Sequence, residues 1–184
     1  MVTGDQATAS AVQAPAAEAR AAKARAVAET VTDPELPMLT LRELGVLRDV
    51  RVAPDGAVEV TITPTYTGCP AVQAMRDDLR ARLAEAGFTR VEVRTVLHPP
   101  WTTDMISESG RRKLAAAGIA PPGPAPRRTS GPIPLTLGPP RTVVRCPRCG
   151  SRDTDELSRF GSTACKSLRR CRACREPFEH FKEL

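Results

Sequence analysis

Four of the six cysteines in this 184-residue chain form two Cys-x-x-Cys pairs, Cys146/Cys149 and Cys171/Cys174, with 21 residues between them. A Cys-x-x-Cys turn puts two thiolates on one tight bend, and two such bends can close a tetrahedron around a single metal ion. The ion supplies folding energy to a segment too short to build its own core. The tail therefore reads as a zinc ribbon, with Cys146, Cys149, Cys171 and Cys174 as ligands of a structural zinc. The competing arrangement is two disulfides. Against it, the first 30 residues hold no continuous apolar run of the signal-peptide kind, and no stretch is apolar enough to span a membrane. A cytoplasmic setting follows, in which thiols stay reduced and clustered cysteines bind metal or react.

Cys165 lies between the pairs. One structural zinc needs only four ligands, so Cys165 stands outside the site, replaces one of the four, or belongs to the ligand set of an Fe–S cluster. The cations at Lys166, Arg169 and Arg170 would lower its pKa and make it a reactive thiol, whereas burial under the ribbon would leave it inert. His180 is an alternative ligand, although the four-thiolate set is complete without it.

The sixth cysteine stands in Thr65-Tyr66-Thr67-Gly68-Cys69-Pro70. Proline is favoured at the first position of a helix, which predicts Cys69 as the N-cap of a helix over 70–86. A thiol there faces unpaired backbone N–H groups and the positive end of the helix dipole, and both favour thiolate. Asp33 and Glu35, in a proline-bounded turn, could bring carboxylates to the same thiol or could only shape that turn. Thr67 adds a hydroxyl beside it. His98, at the end of a strand, is a candidate ligand or base, or a structural histidine.

The elements that must position these groups follow from periodicity. Residues 1–15 are expected to be disordered, and 16–31 are alanine-rich with helical propensity. Thr40-Leu41-Arg42-Glu43 has the form of a capping box, stopped at Gly45. Residues 46–53 and 57–63 alternate apolar and polar around Pro54-Asp55-Gly56, predicting a hairpin. Val72, Met75, Leu79 and Leu83 recur at helical spacing up to Gly87. A third strand covers 91–97, and a second helical stretch 104–117 ends at Gly118. The fold class is α+β, an open sandwich of order α-β-β-α-β-α over residues 16–120. Residues 121–140 hold eight prolines and three glycines, predicting an extended linker. The ribbon then occupies 141–184.

The net charge of +6 is concentrated in the tail. Residues 1–120 carry 14 Lys/Arg against 15 Asp/Glu, and residues 141–184 carry 11 against 6. A basic ribbon suits nucleic acid, an acidic protein surface or plain solvation. Aromatic residues make up only 3% of the chain, too few for single-strand stacking platforms. A thiol enzyme pairing Cys69 with His98 lacks an evident third orienting residue.

Several of these motifs together resemble a known family. The Asp33-Pro34-Glu35 turn, Leu44-Gly45, the Thr65–Pro70 loop and Pro99-Pro100-Trp101 are similar to the SufT-like iron–sulfur assembly family over roughly 20–120. With the two Cys-x-x-Cys pairs, Phe160-Gly161-Ser162-Thr163-Ala164-Cys165-Lys166 and Glu176-Pro177-Phe178, the whole chain resembles the PaaD (PaaJ) family, the fourth subunit of phenylacetyl-CoA 1,2-epoxidase systems. The resemblance implies aerobic phenylacetate degradation, with the oxygenase and reductase subunits as partners. It also implies that Cys69 is the functional loop cysteine, with iron or an Fe–S cluster as transient cargo. The chain has no Glu-x-x-His pair for a di-iron site and no Gly-x-Gly-x-x-Gly loop for a dinucleotide. An accessory role in cofactor assembly, without catalysis of its own, is what remains. The alternative is a basic zinc-ribbon module that binds nucleic acid or protein. No membrane partner is expected, and a homodimer is left open.

Overall fold

A computed structural model describes residues 6–125 and 143–184, with residues 6–15 as helix backbone. The chain divides into two compact units, residues 1–100 and 101–184.

In the first unit, α1 (Gln6–Ala28), β1 (Thr32–Asp33), β2 (Leu36–Thr40), β3 (Leu47–Val52), β4 (Val58–Ile62), α2 (Val72–Glu85) and β5 (Val91–Thr95) follow in order. The helix α1 begins ten residues before the expected 16, so residues 6–15 are helical rather than disordered; the same alanine-rich composition extends over them. Residues 1–5 lie outside the described residues. Strands β3, β4 and β5 form one sheet in that order, with β3 antiparallel and β5 parallel to β4. Alternation along β4 buries Val58, Val60 and Ile62 on one face. Met75, Leu79 and Leu83 of α2 and Ala24 and Ala28 of α1 complete this core. Each large side chain so buried contributes about 1.5–3 kcal/mol. Lys23 of α1 donates to the Ala86 carbonyl at 2.8 Å, placing a cation on the C-terminal end of α2.

The capping box forms as read. Thr40 Oγ1 accepts from the Glu43 N–H, and Glu43 Oε2 accepts from the Thr40 N–H, both at 3.1 Å. The β1–β2 pair was not expected, because two residues are too few to show a period.

The second unit starts at Trp101, not at 141. Residues 101–120, assigned by sequence to the first domain, fold with the ribbon. The helix α3 (Glu108–Ala116) leads into β6 (Ile119–Ala120), which pairs in parallel with β9 (Pro177–Phe181). β9 pairs with β8 (Lys166–Cys171), and β8 with β7 (Thr154–Ser158), giving the sheet order β6-β9-β8-β7. Arg111 of α3 donates to the carbonyls of Pro122 and Thr103, each at 2.6 Å. Trp101 is buried, with its ring 5.9 Å from that of Phe181. Five residues of the expected linker, 121–125, take part: the Gly123 N–H donates to Glu183 and the Ala125 N–H to Asp104. The remainder of that linker lies outside the described residues. Among the described residues no helix is long and apolar enough to cross a membrane.

Candidate metal centre

Two turns of the second unit carry the paired cysteines. In the first, the Gly150 N–H donates to the Cys146 carbonyl and the Cys146 N–H to the Ser151 carbonyl, both at 2.9 Å. Gly150 closes this turn at φ 75°, in the left-handed region that glycine enters without cost. In the second, the Cys171 N–H donates to the Glu176 carbonyl at 3.0 Å, and Arg175 takes the left-handed position at φ 64°. The strand pairing of β7 with β8 holds the turns face to face, with Thr154 opposite Cys171.

The four sulfurs of Cys146, Cys149, Cys171 and Cys174 lie within 4.8 Å of one another. Across the turns, Cys146 is 3.7 Å from Cys174 and Cys149 is 3.5 Å from Cys171. Sulfurs about 2.3 Å from a tetrahedral ion stand about 3.8 Å apart, so the cluster has the right size. None of the six cysteines is disulfide-bonded, and these separations far exceed the ~2.05 Å of such a bond. Cys146 and Cys171 are buried, Cys174 is half-buried and Cys149 is exposed. Ala120, Val144 and Phe178 pack against the sulfurs, so the cysteines form part of a small core.

The electrostatics call for a cation. The Cys174 N–H, 3.5 Å from the Cys171 sulfur, leads in lowering that thiol to about 7. At Cys174 the Glu176 N–H acts downward, but burial and the thiols of Cys171, Cys149 and Cys146 outweigh it and push it up to about 12. Once one sulfur ionises, the next does so only against its charge. A bound cation removes that opposition, which is the chemistry a four-thiolate metal site requires.

Cys165 stands apart. It precedes β8 while Cys171 ends it, and six residues of strand span about 20 Å. It is buried, with the Thr163 hydroxyl 3.0 Å from its sulfur, and its carbonyl accepts from the Lys182 N–H. Two of the three cations expected beside it are engaged elsewhere: Lys166 with Glu179 at 2.9 Å and Arg169 with Glu156 at 3.4 Å. His180 is also outside the cluster. Its Nδ1 lies 3.4 Å from Ser167 Oγ and its Nε2 3.5 Å from Glu183. Burial alone would raise the Glu183 carboxyl, but His180 and the Gly123 N–H pull it down to about 2. Nothing in the spacing of these residues announced this pair; only the parallel β6–β9 contact brings Gly123 to Glu183.

The Cys69 loop lies in the first unit. Cys69 is not the N-cap of α2, as expected; Ala71 is, with no side-chain capping bond. The Cys69 N–H donates to the Tyr66 carbonyl, and the Cys69 carbonyl accepts from the Val72 N–H, both at 3.3 Å. The extra turn this creates sets the half-buried thiol two residues before the helix cap. Gly68 makes the bend possible at φ 96°. Because β4 and β5 run parallel with Ile62 opposite Thr95, the loops that follow them leave the same edge of the sheet. Cys69 and Thr67 lie on one of these loops and His98 on the other, with Thr67 and His98 exposed. The carboxyl edge of adjacent parallel strands is where open sheets of this kind place ligands. Asp33 does something else. It is buried, and its Oδ1 accepts from the N–H groups of Glu35 at 2.7 Å and Leu36 at 2.9 Å, shaping the β1–β2 turn on which half-buried Glu35 sits. Thr63, which opens the Cys69 loop, was not singled out by sequence. It is buried, and its hydroxyl has no hydrogen-bond partner among the described residues.

Comparison with known proteins follows the same division. Residues 11–95 match the iron–sulfur cluster assembly protein family, and residues 131–182 match the PaaD zinc beta ribbon domain. A protein of Escherichia coli K12, provisionally assigned as the D component of 1,2-phenylacetyl-CoA epoxidase, is 43% identical over 85% of this chain and 89% of its own. The Fe-S protein maturation auxiliary factor SufT of Staphylococcus aureus is 35% identical over 47% of this chain and 99% of its own. A crystal structure of a domain of unknown function from Bacillus anthracis superposes with a TM-score of 0.51 at 30% identity, covering 55% of this chain and 96% of that one.

Proposed function

Because the chain belongs to the PaaD family, which joins an iron–sulfur assembly domain to a zinc beta ribbon, we propose that it is an accessory subunit of the phenylacetyl-CoA epoxidase system. In this reading it assists assembly of the iron or iron–sulfur cofactor of the oxygenase or reductase subunits and catalyses no reaction of its own. The observation that carries it is the position of Cys69. A half-buried thiol stands on a glycine-hinged loop at the carboxyl edge of a parallel strand pair, in a domain similar to Fe-S maturation factors.

The roles divide between the units. Cys69, as thiolate, is a soft donor for iron or a cluster handed on as cargo, and one protein ligand with an exchangeable set of others suits transfer rather than storage. Thr67 and His98, on exposed loops at the same edge, are candidates to complete the cargo's ligand set. Asp33, which shapes the β1–β2 turn, and Glu35, which sits on it, are further candidates for the transfer site. Cys146, Cys149, Cys171 and Cys174 hold one zinc, which when bound supplies charge to unite four thiolates and no redox chemistry. The protein acts in the cytoplasm.

The test is complementation. In a strain lacking this gene, Cys69→Ala is expected to leave the protein soluble and zinc-loaded while epoxidase activity stays at the level of the deletion. Full restoration of activity by Cys69→Ala removes the transfer role. Anaerobic purification separates the cargo: a colourless protein with one zinc per chain contains the ribbon metal alone, and a brown protein with iron and acid-labile sulfide carries a cluster.

A further inference from the structure

The metal-binding end of the second unit wears a collar of arginines. Arg145, Arg148, Arg152, Arg170, Arg172 and Arg175 are all exposed, and each is within three residues of a cluster cysteine. With the four sulfurs inside 4.8 Å, chain connectivity gathers all six around one end of the sheet. Their partners are few. Arg172 takes Asp155 at 2.5 Å and Asp153 at 3.8 Å. Among the described residues, the side chains of Arg145, Arg148, Arg152 and Arg175 form no ion pair or hydrogen bond, and Arg170 has only the field of Asp155. In the first unit Arg25, Arg42, Arg51, Arg80, Arg90 and Arg94 each have a carboxylate, while Arg76 and Arg82 have none among the described residues. A divalent ion among four thiolates adds two negative charges at the collar. With Asp153, Asp155 and Glu176 these still fall short of the six cations.

Apolar groups stand among the guanidiniums. Pro147 and Ala173 occupy the turns beside Arg148 and Arg172, with Ala173 exposed, and Val143 leads into the first turn at 67% exposure. Arginine interleaved with apolar surface is the composition of a protein interface core, and a guanidinium fork matches a carboxylate at two points. The exposed aromatic ring that a nucleic-acid platform would use, Phe160, follows the far end of β7 and lies under the Lys182 ammonium. We propose that the arginine-bearing end of the ribbon is a docking surface for an acidic patch on a protein partner. The identity of that partner, the epoxidase subunits, rests on the accessory reading above.

The experiment uses the full zinc-loaded chain and purified oxygenase and reductase subunits of the same system, with binding followed by interferometry at low and high salt. The double variant Arg148→Glu/Arg175→Glu alters side chains without an ion pair or hydrogen bond, so zinc content and circular dichroism should be unchanged. Its affinity is expected to fall by roughly tenfold or more at low salt, with the loss shrinking as salt rises. Arg159→Glu, a single charge reversal at the far end of β7, is expected to shift affinity by less than about twofold. Two outcomes overturn this surface and leave the accessory reading standing: wild-type affinity in the double variant, or an equal loss in Arg159→Glu. No binding of the wild-type chain to any epoxidase subunit overturns both. Tighter binding to a 20-nucleotide RNA or DNA than to the subunits assigns the collar to nucleic acid instead.

Discussion

Removing the metal should unfold more than the ribbon. A unit the size of 101–184 has a net stability of about 4–13 kcal/mol at typical values per residue. A structural zinc on four thiolates contributes roughly 10–16 kcal/mol, so its loss removes most or all of that margin. Among the described residues, the apolar side chains clustered with the sulfurs are Ala120, Val144 and Phe178, too small a core to persist alone. Strand β6 has β9 as its sheet partner, and Trp101 rests on Phe181 at the end of β9. Trp101 is the chain's single tryptophan and is 5% exposed, so its fluorescence reads the event directly. Chelation should shift Trp101 emission to the red in step with metal release. Hydrogen exchange should show lost protection in α3, β6, β8 and β9, while β3, β4, β5 and α2 stay protected. If Trp101 emission and α3 protection survive complete metal release, residues 101–120 do not depend on the ribbon and the reasoning fails.

Other expectations follow from the same geometry. Cys165→Ser should keep one zinc per chain and Cys171→Ser should lose it, as elemental analysis will show, since Cys165 lies a strand's length from the cluster. Leu79→Ala empties a fully buried site in α2 and should cost about 2–5 kcal/mol, read as a lower midpoint for the first unit in urea. Glu183 is held at about 2, below the usual carboxylate range, so it adds stability above its unfolded pKa that is lost as pH falls through the folded value. Glu183→Gln should therefore destabilise the second unit at pH 7 by about 1 kcal/mol after solvent screening, and the gap to wild type should close toward pH 2 in denaturant titrations.

The sequence alone was enough wherever a signal is local. Two Cys-x-x-Cys pairs marked out the four-sulfur cluster because each sulfur pair is set by one turn, whatever surrounds it. The capping box at Thr40, the β3–β4 hairpin and the apolar stripe of α2 are likewise written in neighbouring residues. Where a contact joins distant residues, the sequence was silent. No period could show that two residues, Ile119 and Ala120, would pair with β9, and the boundary of the second unit moved by 40 residues on that account, from 141 to 101. Cys69 slipped from the helix cap because one added turn costs nothing that composition records. The unpaired arginines, too, appeared only in three dimensions, since a charge becomes uncompensated through the absence of a neighbour in space, which a one-dimensional list of residues does not contain.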